Sequence, residues 1–426
     1  MSMFGFGTKK AAPAFDRSKL VGIDLTATRA RASVAVGGRG RPLVLDDPAE
    51  DLHLFLTLDR RSPDIGSAGQ AICRKYPHLV CSNFLPFLGH ARQWQSGRAA
   101  LTPESALQAV FERLRGPVTA ESEAIALALP AYLTAAQVKA VRELAGRAHL
   151  PVRGTAAAAL VVAADRAGLV LGGSAPAHTS GSADDADDAR PDWVVPIRAH
   201  AHGPAAIVVV DVDEFALTAS VVGVEAGGVK MLASATRPRA SLKAWKDRII
   251  DGMSDRCVRL CRRDPRDSAD AEQALYLQLD TALDRTRAGQ PVTLTVRSEH
   301  WYQDLVHQPE EFDAYCTALA AIGADGLVEA VRSANLAVPP RAIWLTHAAA
   351  RLPGLAALLH QNSPEQTEIF ALSPTAIADA TAALVPRWLA GKLPPVHLDA
   401  HLPLEPAAEK PATRPTSAAN PPARQG

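Results

Sequence analysis

The chain has 426 residues, 47% of them apolar, and 45 Lys+Arg against 45 Asp+Glu, so its net charge is zero. That length suggests roughly two to three domain-sized units, and the balance of charge excludes both a global basic field for nucleic acid and an acidic, solvating character. Five scattered cysteines, an odd number, argue against a disulfide framework and for a reducing, cytoplasmic compartment.

Residues 1–17 read as a loose tail without a long apolar leader. Leu20-Val21-Gly22-Ile23 then forms an apolar strand with Asp24 at its end. Leu25 to Thr28 turns the chain and Ala32 to Val36 runs back, completing a hairpin. A strand is expected around Leu54–Leu58, a short helix over Ile65–Ala71 and an apolar loop from Ser82 to Gly89. Thr102 is a good N-cap for a helix over Pro103–Leu114, with Pro103 at the first helical position and Glu104 in the first turn. Ala124–Leu129 reads as a strand stopped by Pro130. Thr134–Ala148 shows Val138, Val141, Leu144 and Ala145 on one helical face. Ala156–Ala167 reads as a helix of small residues that can approach a sheet closely. The apolar stretch from Gly154 to Gly173 carries Asp165 and Arg166 and is no membrane span.

Gly172 to Asp192 is rich in Gly, Ser, Ala and Asp and reads as a solvated loop. His200 and His202 beside it have no further ligand nearby. The second half opens on another hairpin: strand Ala206–Val210, Asp211 at its end, the turn Val212-Asp213-Glu214-Phe215, and strand Leu217–Val222. Five consecutive apolar, mostly β-branched residues suit a strand buried on both faces. Helices are expected over Ser241–Arg262, Asp270–Arg287, Pro309–Ile322 and Gly326–Asn335. Strands are expected at Val292–Val296 and Ala342–Thr346, and closing helices at Gly354–His360 and Pro374–Leu389. Cys257 and Cys261, four apart with no His nearby, read as helix packing or surface residues. From Leu393 Pro and Ala dominate, and the final stretch reads as disordered. Each half thus places one carboxylate, Asp24 or Asp211, at the end of a hairpin strand, a repeat that a turn-former reading of either Asp alone leaves unexplained.

Read as a whole, residues 19–392 resemble the nucleotide-binding domain of the DnaK-type, seventy-kilodalton heat-shock chaperones, within the actin-like ATPase superfamily. VGIDLTATRARASVAV is similar to that family's first phosphate hairpin, and IVVVDVDEFALTASVV to its second. ALALPAYLTAAQVKAVRELAGRAHLPV is similar to its strand, turn and helix, the most specific of the matches. TAAAALVVA is similar to its small-residue helix and AIWLTHAAARLPGLAALL to its adenosine-pocket segment. The resemblance implies an α/β actin-like ATPase fold, two lobes each with a mixed sheet flanked by helices around a central cleft. Its parts would be a tail (1–17), lobe I (18–171), the acidic Gly/Ser-rich loop (172–204), lobe II (205–392) and a linker-like, Pro/Ala-rich end (393–426). It implies ATP or ADP with magnesium as cofactors. Asp24 and Asp211 would organise magnesium-bound water, Thr28 would lie near the phosphates, Asp280 near the ribose and Arg351 near adenine.

The chain departs from the family at the positions that matter for phosphate. Amide cradles need glycine, and the second hairpin carries Asp213, Glu214 and Phe215 instead, the first Thr26. A carboxylate ~5 Å from a phosphate charge costs about 3 kcal/mol at an effective dielectric near 20. The family's catalytic lysine falls at Leu85 and its cleft glutamate near Gly154. Further pocket positions hold Ser241, Leu242, Leu283, Asp284, His347 and Ala348. The family's peptide-binding β-sandwich does not fit in the residues left, while Val396–Leu404 is similar to the linker that leads to it. The expected function is therefore a pseudo-ATPase or weak ATP binder acting through protein partners, chaperone machinery among them, without nucleic acid or membrane. The alternatives are an active magnesium-dependent ATPase and an actin-like scaffold.

Overall fold

The computed structural model describes residues 20–36, 39–58, 62–167 and 205–404. The tail 1–17, the loop 172–204 with its two histidines, and the end of the chain from 405 lie outside the described residues.

The described chain is a mixed α/β structure built on two large mixed sheets with the same plan. In the first, Leu20–Leu25 is central. The antiparallel strands Arg29–Val36 and Arg39–Pro42 follow on one side, and the parallel strands Ala124–Leu129 and Val152–Ala157 on the other. In the second, Ala205–Val212 is central. Antiparallel Leu217–Glu225 and Gly228–Arg237 lie on one side, and parallel Ala342–Leu345 and Glu368–Ala371 on the other.

Alternation along each strand decides what covers it. Ile125, Leu127 and Leu129 face a core closed by the helices Pro103–Glu121 and Ala135–Arg147. Ala124, Ala126 and Ala128 face the other way, into a core shared by both sheets. Two helices, Ala158–Asp165 and Ala376–Leu389, fill that shared layer. The small face of the first sheet is what lets the second of these helices come close. A Cβ on Gly22 would lie 2.2 Å from the backbone oxygen of Ala378, and one on Gly154 would lie 2.1 Å from the Trp388 ring. In the second sheet Ile207 and Val209 join this shared core, while Val208, Val210 and Val212 face an outer core. The helices Leu242–Cys261, Ala269–Arg287 and Pro309–Ser333 close that outer core. Burial on both faces explains the unbroken apolar run.

Several elements differ from expectation. The helix beginning at Pro103 runs on past Leu114 to Glu121, through Pro117, on a capping box between Thr102 and Ser105. Val152–Ala157 is a strand, so the small-residue helix starts only at Ala158. The two helices expected after Pro309 are one, Pro309–Ser333. Its Gly323 and Gly326 are close-approach positions: a Cβ there would meet Leu355 at 3.0 Å and Arg237 at 2.9 Å. Among the described residues this helix is long and apolar enough to cross a bilayer, and here its apolar face, including Phe312, Cys316 and Ala320, is used against the second sheet. The apolar loop Ser82–Gly89 contains a 3-10 turn at Leu85–Phe87. Cys257 is buried in its helix and Cys261 donates to the Cys257 carbonyl at 3.2 Å, both as free thiols.

Order also continues beyond Leu393. His397–Leu398 pairs in parallel with Val152–Ala157 at the edge of the first sheet, and His401–Pro403 pairs antiparallel with Gly228–Arg237 at the edge of the second. Leu398 and Leu402 are buried in the shared core. One short segment therefore straps the two sheets together.

Candidate functional site

Both hairpin turns lie at the C-terminal ends of the central strands, where open α/β sheets place their ligand crevices. The strands run one or more residues further than the sequence suggests, so Asp24 and Asp211 sit within strands opposite Arg31 and Thr218. In the first turn Thr26 closes the loop with its own side chain. Its Oγ1 accepts from the amides of Thr28 (3.3 Å) and Arg29 (3.2 Å). In the second turn the Asp213 Oδ1 accepts from the amides of Phe215 (2.9 Å) and Ala216 (3.0 Å).

The two turns then join directly. The Ala27 amide donates to Asp213 Oδ2 at 3.0 Å, and the Tyr132 hydroxyl donates to the same oxygen at 2.6 Å. The Glu214 amide donates to Thr28 Oγ1 at 2.8 Å. Phe215 reaches across into the first core, its ring centroid 5.0 Å from Tyr132 and 6.3 Å from Phe87. Asp213 is 2% exposed, and burial pushes its pKa above the ordinary carboxylate value against the hydrogen bonds from Tyr132 and the three amides. The carboxylate occupies amide donors of the kind a phosphate would use.

The carboxylates assigned to magnesium are partnered as well. Arg29 Nη2 lies 3.8 Å from Asp24 Oδ2, and Arg29 Nε lies 3.2 Å from Asp51 Oδ2. Arg31 holds Asp51 through Nε at 2.5 Å and Nη2 at 2.7 Å and also donates to the Pro374 carbonyl. Asp211 Oδ1 accepts the Thr346 hydroxyl at 2.7 Å. Burial raises the pKa of Asp24, and burial with Asp24 nearby raises that of Asp211 to about 7. Arg29 interacts electrostatically with both. The Arg29 guanidinium beside Asp24 puts a positive charge where a divalent cation would have to approach that carboxylate, and among the described residues no group of three His, Cys, Asp or Glu is arranged to hold a metal directly.

Thr28, Asp211, Asp280 and Arg351 line one cavity of about 320 Å³ beside the hairpins; Asp24 is not on its wall but lies 3.8 Å from the wall residue Arg29. Arg351 Nη2 contacts Asp280 Oδ1 at 3.1 Å and Arg351 Nη1 contacts Asp284 Oδ2 at 3.4 Å. Lys246, buried, contacts Asp280 Oδ2 at 2.9 Å. Burial works against the Asp280 carboxylate, yet Lys246 and Arg351 hold its pKa well below the usual range. Four of the five predicted residues thus share one cavity, with Asp24 joined to it through Arg29, and each of the five is tied to another protein group.

Other departures have a packing cause. Leu85 is fully buried in the first core, and the indole against Gly154 leaves no room for a carboxylate side chain. Ser241 caps the helix Leu242–Cys261, accepting from Ala244 at 3.3 Å. Sequence reasoning missed Arg29, Asp51, Tyr132, Lys246 and Thr346. The alternating Arg29 and Arg31 in an otherwise apolar strand were the available signal, since buried arginines need partners. Comparison with protein-family models and with curated proteins finds no match for this chain.

Proposed function

We propose that the chain has the two-lobed, actin-like architecture of the DnaK-type nucleotide-binding domain and works as a pseudo-ATPase, a scaffold that acts through protein partners in the cytoplasm. The observation that carries this reading is Asp213, whose carboxylate takes the Ala27 amide and the Tyr132 hydroxyl across the cleft. The second hairpin brings its own anion to the first, and Arg29 brings a cation to Asp24. With both kinds of charge supplied internally, the two hairpins meet through their own side chains and amides. A triphosphate entering the cradle would have to displace a buried carboxylate and the Phe215 ring together. The matched sheets and the pair Asp24 and Asp211 at corresponding strand positions support the superfamily part of the reading.

Calorimetric titration with magnesium and ATP, alongside a phosphate-release assay, tests it. The expected result is no saturable heat at millimolar ATP and no release above buffer. A ligand at 100 times its dissociation constant stabilises by ~2.7 kcal/mol, so thermal unfolding gives an independent reading. Saturable binding with turnover that Asp24→Ala or Asp211→Ala abolishes would establish the active ATPase instead.

A further inference from the structure

Residues 67–76 belong to the first half of the chain but are fastened to the second-half helix Ala269–Arg287. Gln273 of that helix is 5% exposed and holds main-chain groups of three residues in this segment. Its Nε2 donates to the Gln70 carbonyl at 3.0 Å, and its Oε1 accepts from the amides of Arg74 at 2.7 Å and Lys75 at 3.2 Å. The Arg74 guanidinium pairs with Asp247 and Glu272 and lies 4.8 Å from the centroid of the Tyr276 ring, while Lys75 pairs with Asp270. Cys73 packs against the second core, and its thiol lies beside the Gln273 side chain. Gln70 and, one turn beyond Gln273, Leu277 stand on the wall of the cavity beside the hairpins. Apolar burial contributes little to this attachment, because only Gly69 of residues 67–76 is buried. Segments held by a few polar ties and little buried apolar surface are the ones that open locally. The hairpin junction is of the other kind: Asp213 and Glu214 are buried there and Phe215 packs on the first core.

We propose that residues 67–76 form a flap over one side of this cavity, closed by Gln273 and the ion pairs and able to lift by itself while the hairpins stay joined. The flap works in this way whether or not the neighbouring cradle takes a nucleotide. Its two kinds of tie are unequal. Arg74, Lys75 and their acidic partners are all partly exposed, so salt screens them. Gln273 is buried, and an apolar side chain in its place leaves the Gln70 carbonyl and two amides unmatched in the closed state. Salt should therefore loosen the flap, and loss of the Gln273 amide group should release it.

Cys73 reports on the flap in the unaltered chain. Burial lifts its pKa to about 11 in the closed state, and a return to the ordinary 9.0 would give about a hundredfold more reactive thiolate at pH ~8. The full chain is treated with iodoacetamide at that pH, and peptide mass spectrometry reads Cys73 apart from the other cysteines. The expected result is slow labelling, severalfold faster in ~0.5 M than in ~0.05 M sodium chloride. Labelling should be roughly tenfold faster or more in Gln273→Leu, and Arg74→Gln should label faster at low salt with a smaller response to salt. Hydrogen exchange on the same samples should rise at the amides of Arg74 and Lys75 and stay slow at those of Ala27 and Glu214, which are tied across the hairpins. A urea melt confirms that each variant is folded; if Gln273→Leu is not, Arg74→Gln and the salt series decide. Labelling of the parent chain at the rate of a free thiol overturns the proposal, as does a rate unchanged in the folded variants. Exchange at Ala27 and Glu214 that rises together with Arg74 and Lys75 also overturns it, since the two halves would then part as a whole.

Discussion

Asp211→Asn is expected to stabilise the protein, and to do so more strongly as pH rises. Burial, with Asp24 nearby, lifts the Asp211 pKa from 3.8 to about 7 in the folded chain. Between those values the folded state keeps a proton that the unfolded state has released, so this group makes stability fall as pH rises through the window. Below it both states are protonated and the carboxyl costs nothing. Above it the fold carries a buried carboxylate, and at ~1.36 kcal/mol per tenfold change in proton affinity the full cost approaches ~4 kcal/mol. Asparagine has nearly the same shape, and its side-chain oxygen can still accept the Thr346 hydroxyl now bound at 2.7 Å, but it does not ionise. The gain over the parent chain should be about 1 kcal/mol near pH ~4.5 and about 4 kcal/mol near pH ~8. Urea denaturation of both proteins across that range, compared at equal slope, measures it. A difference that stays flat or shrinks with pH would refute the assignment of a proton to Asp211.

Three further substitutions test how the sheets pack against their helices and the strap. Gly22→Ala drives a methyl group into the backbone of the helix Ala376–Leu389 and should cost roughly 3 kcal/mol. Gly146→Ala, at an exposed position of the helix Ala135–Arg147 where a Cβ meets nothing within 4 Å, should instead stabilise by up to ~1 kcal/mol; parallel thermal melts that fail to split the two would count against the close approach. Leu402→Ala in the strap removes a fully buried side chain and should cost ~2–5 kcal/mol. A loss below ~0.5 kcal/mol in urea titration would mean the strap is not seated.

Much of the fold was legible because the central strands are covered on both faces. Ala205–Val212 and Leu20–Leu25 therefore read as continuous apolar runs, and the Thr102 and Thr134 caps announce their helices directly. Gly323 and Gly326 misled in the opposite sense. Glycine reads as a break along the chain, whereas here it marks where a neighbour comes close. The short strands Asp51–His53, Trp94–Ser96 and Ala99–Leu101 carry too few residues for a period to show. At the site the sequence already put carboxylates where an anion cradle needs glycine. It gave no hint that one of them would be received by Tyr132 and Ala27, because those contacts span 81 and 186 positions along the chain. The cation beside Asp24 was hidden for a related reason: Arg29 and Asp24 approach only through the register of the hairpin.

The strap carries a consequence for biosynthesis. Its strands are translated after every segment they pair with, so the nascent molecule exposes the outer margins of Val152–Ala157 and Gly228–Arg237 until they emerge. Bare strand margins recruit other strands, which makes late elongation the interval in which this polypeptide is most prone to mispairing with its neighbours on a polysome. A ribosome stalled shortly after Lys392 would leave it in that condition.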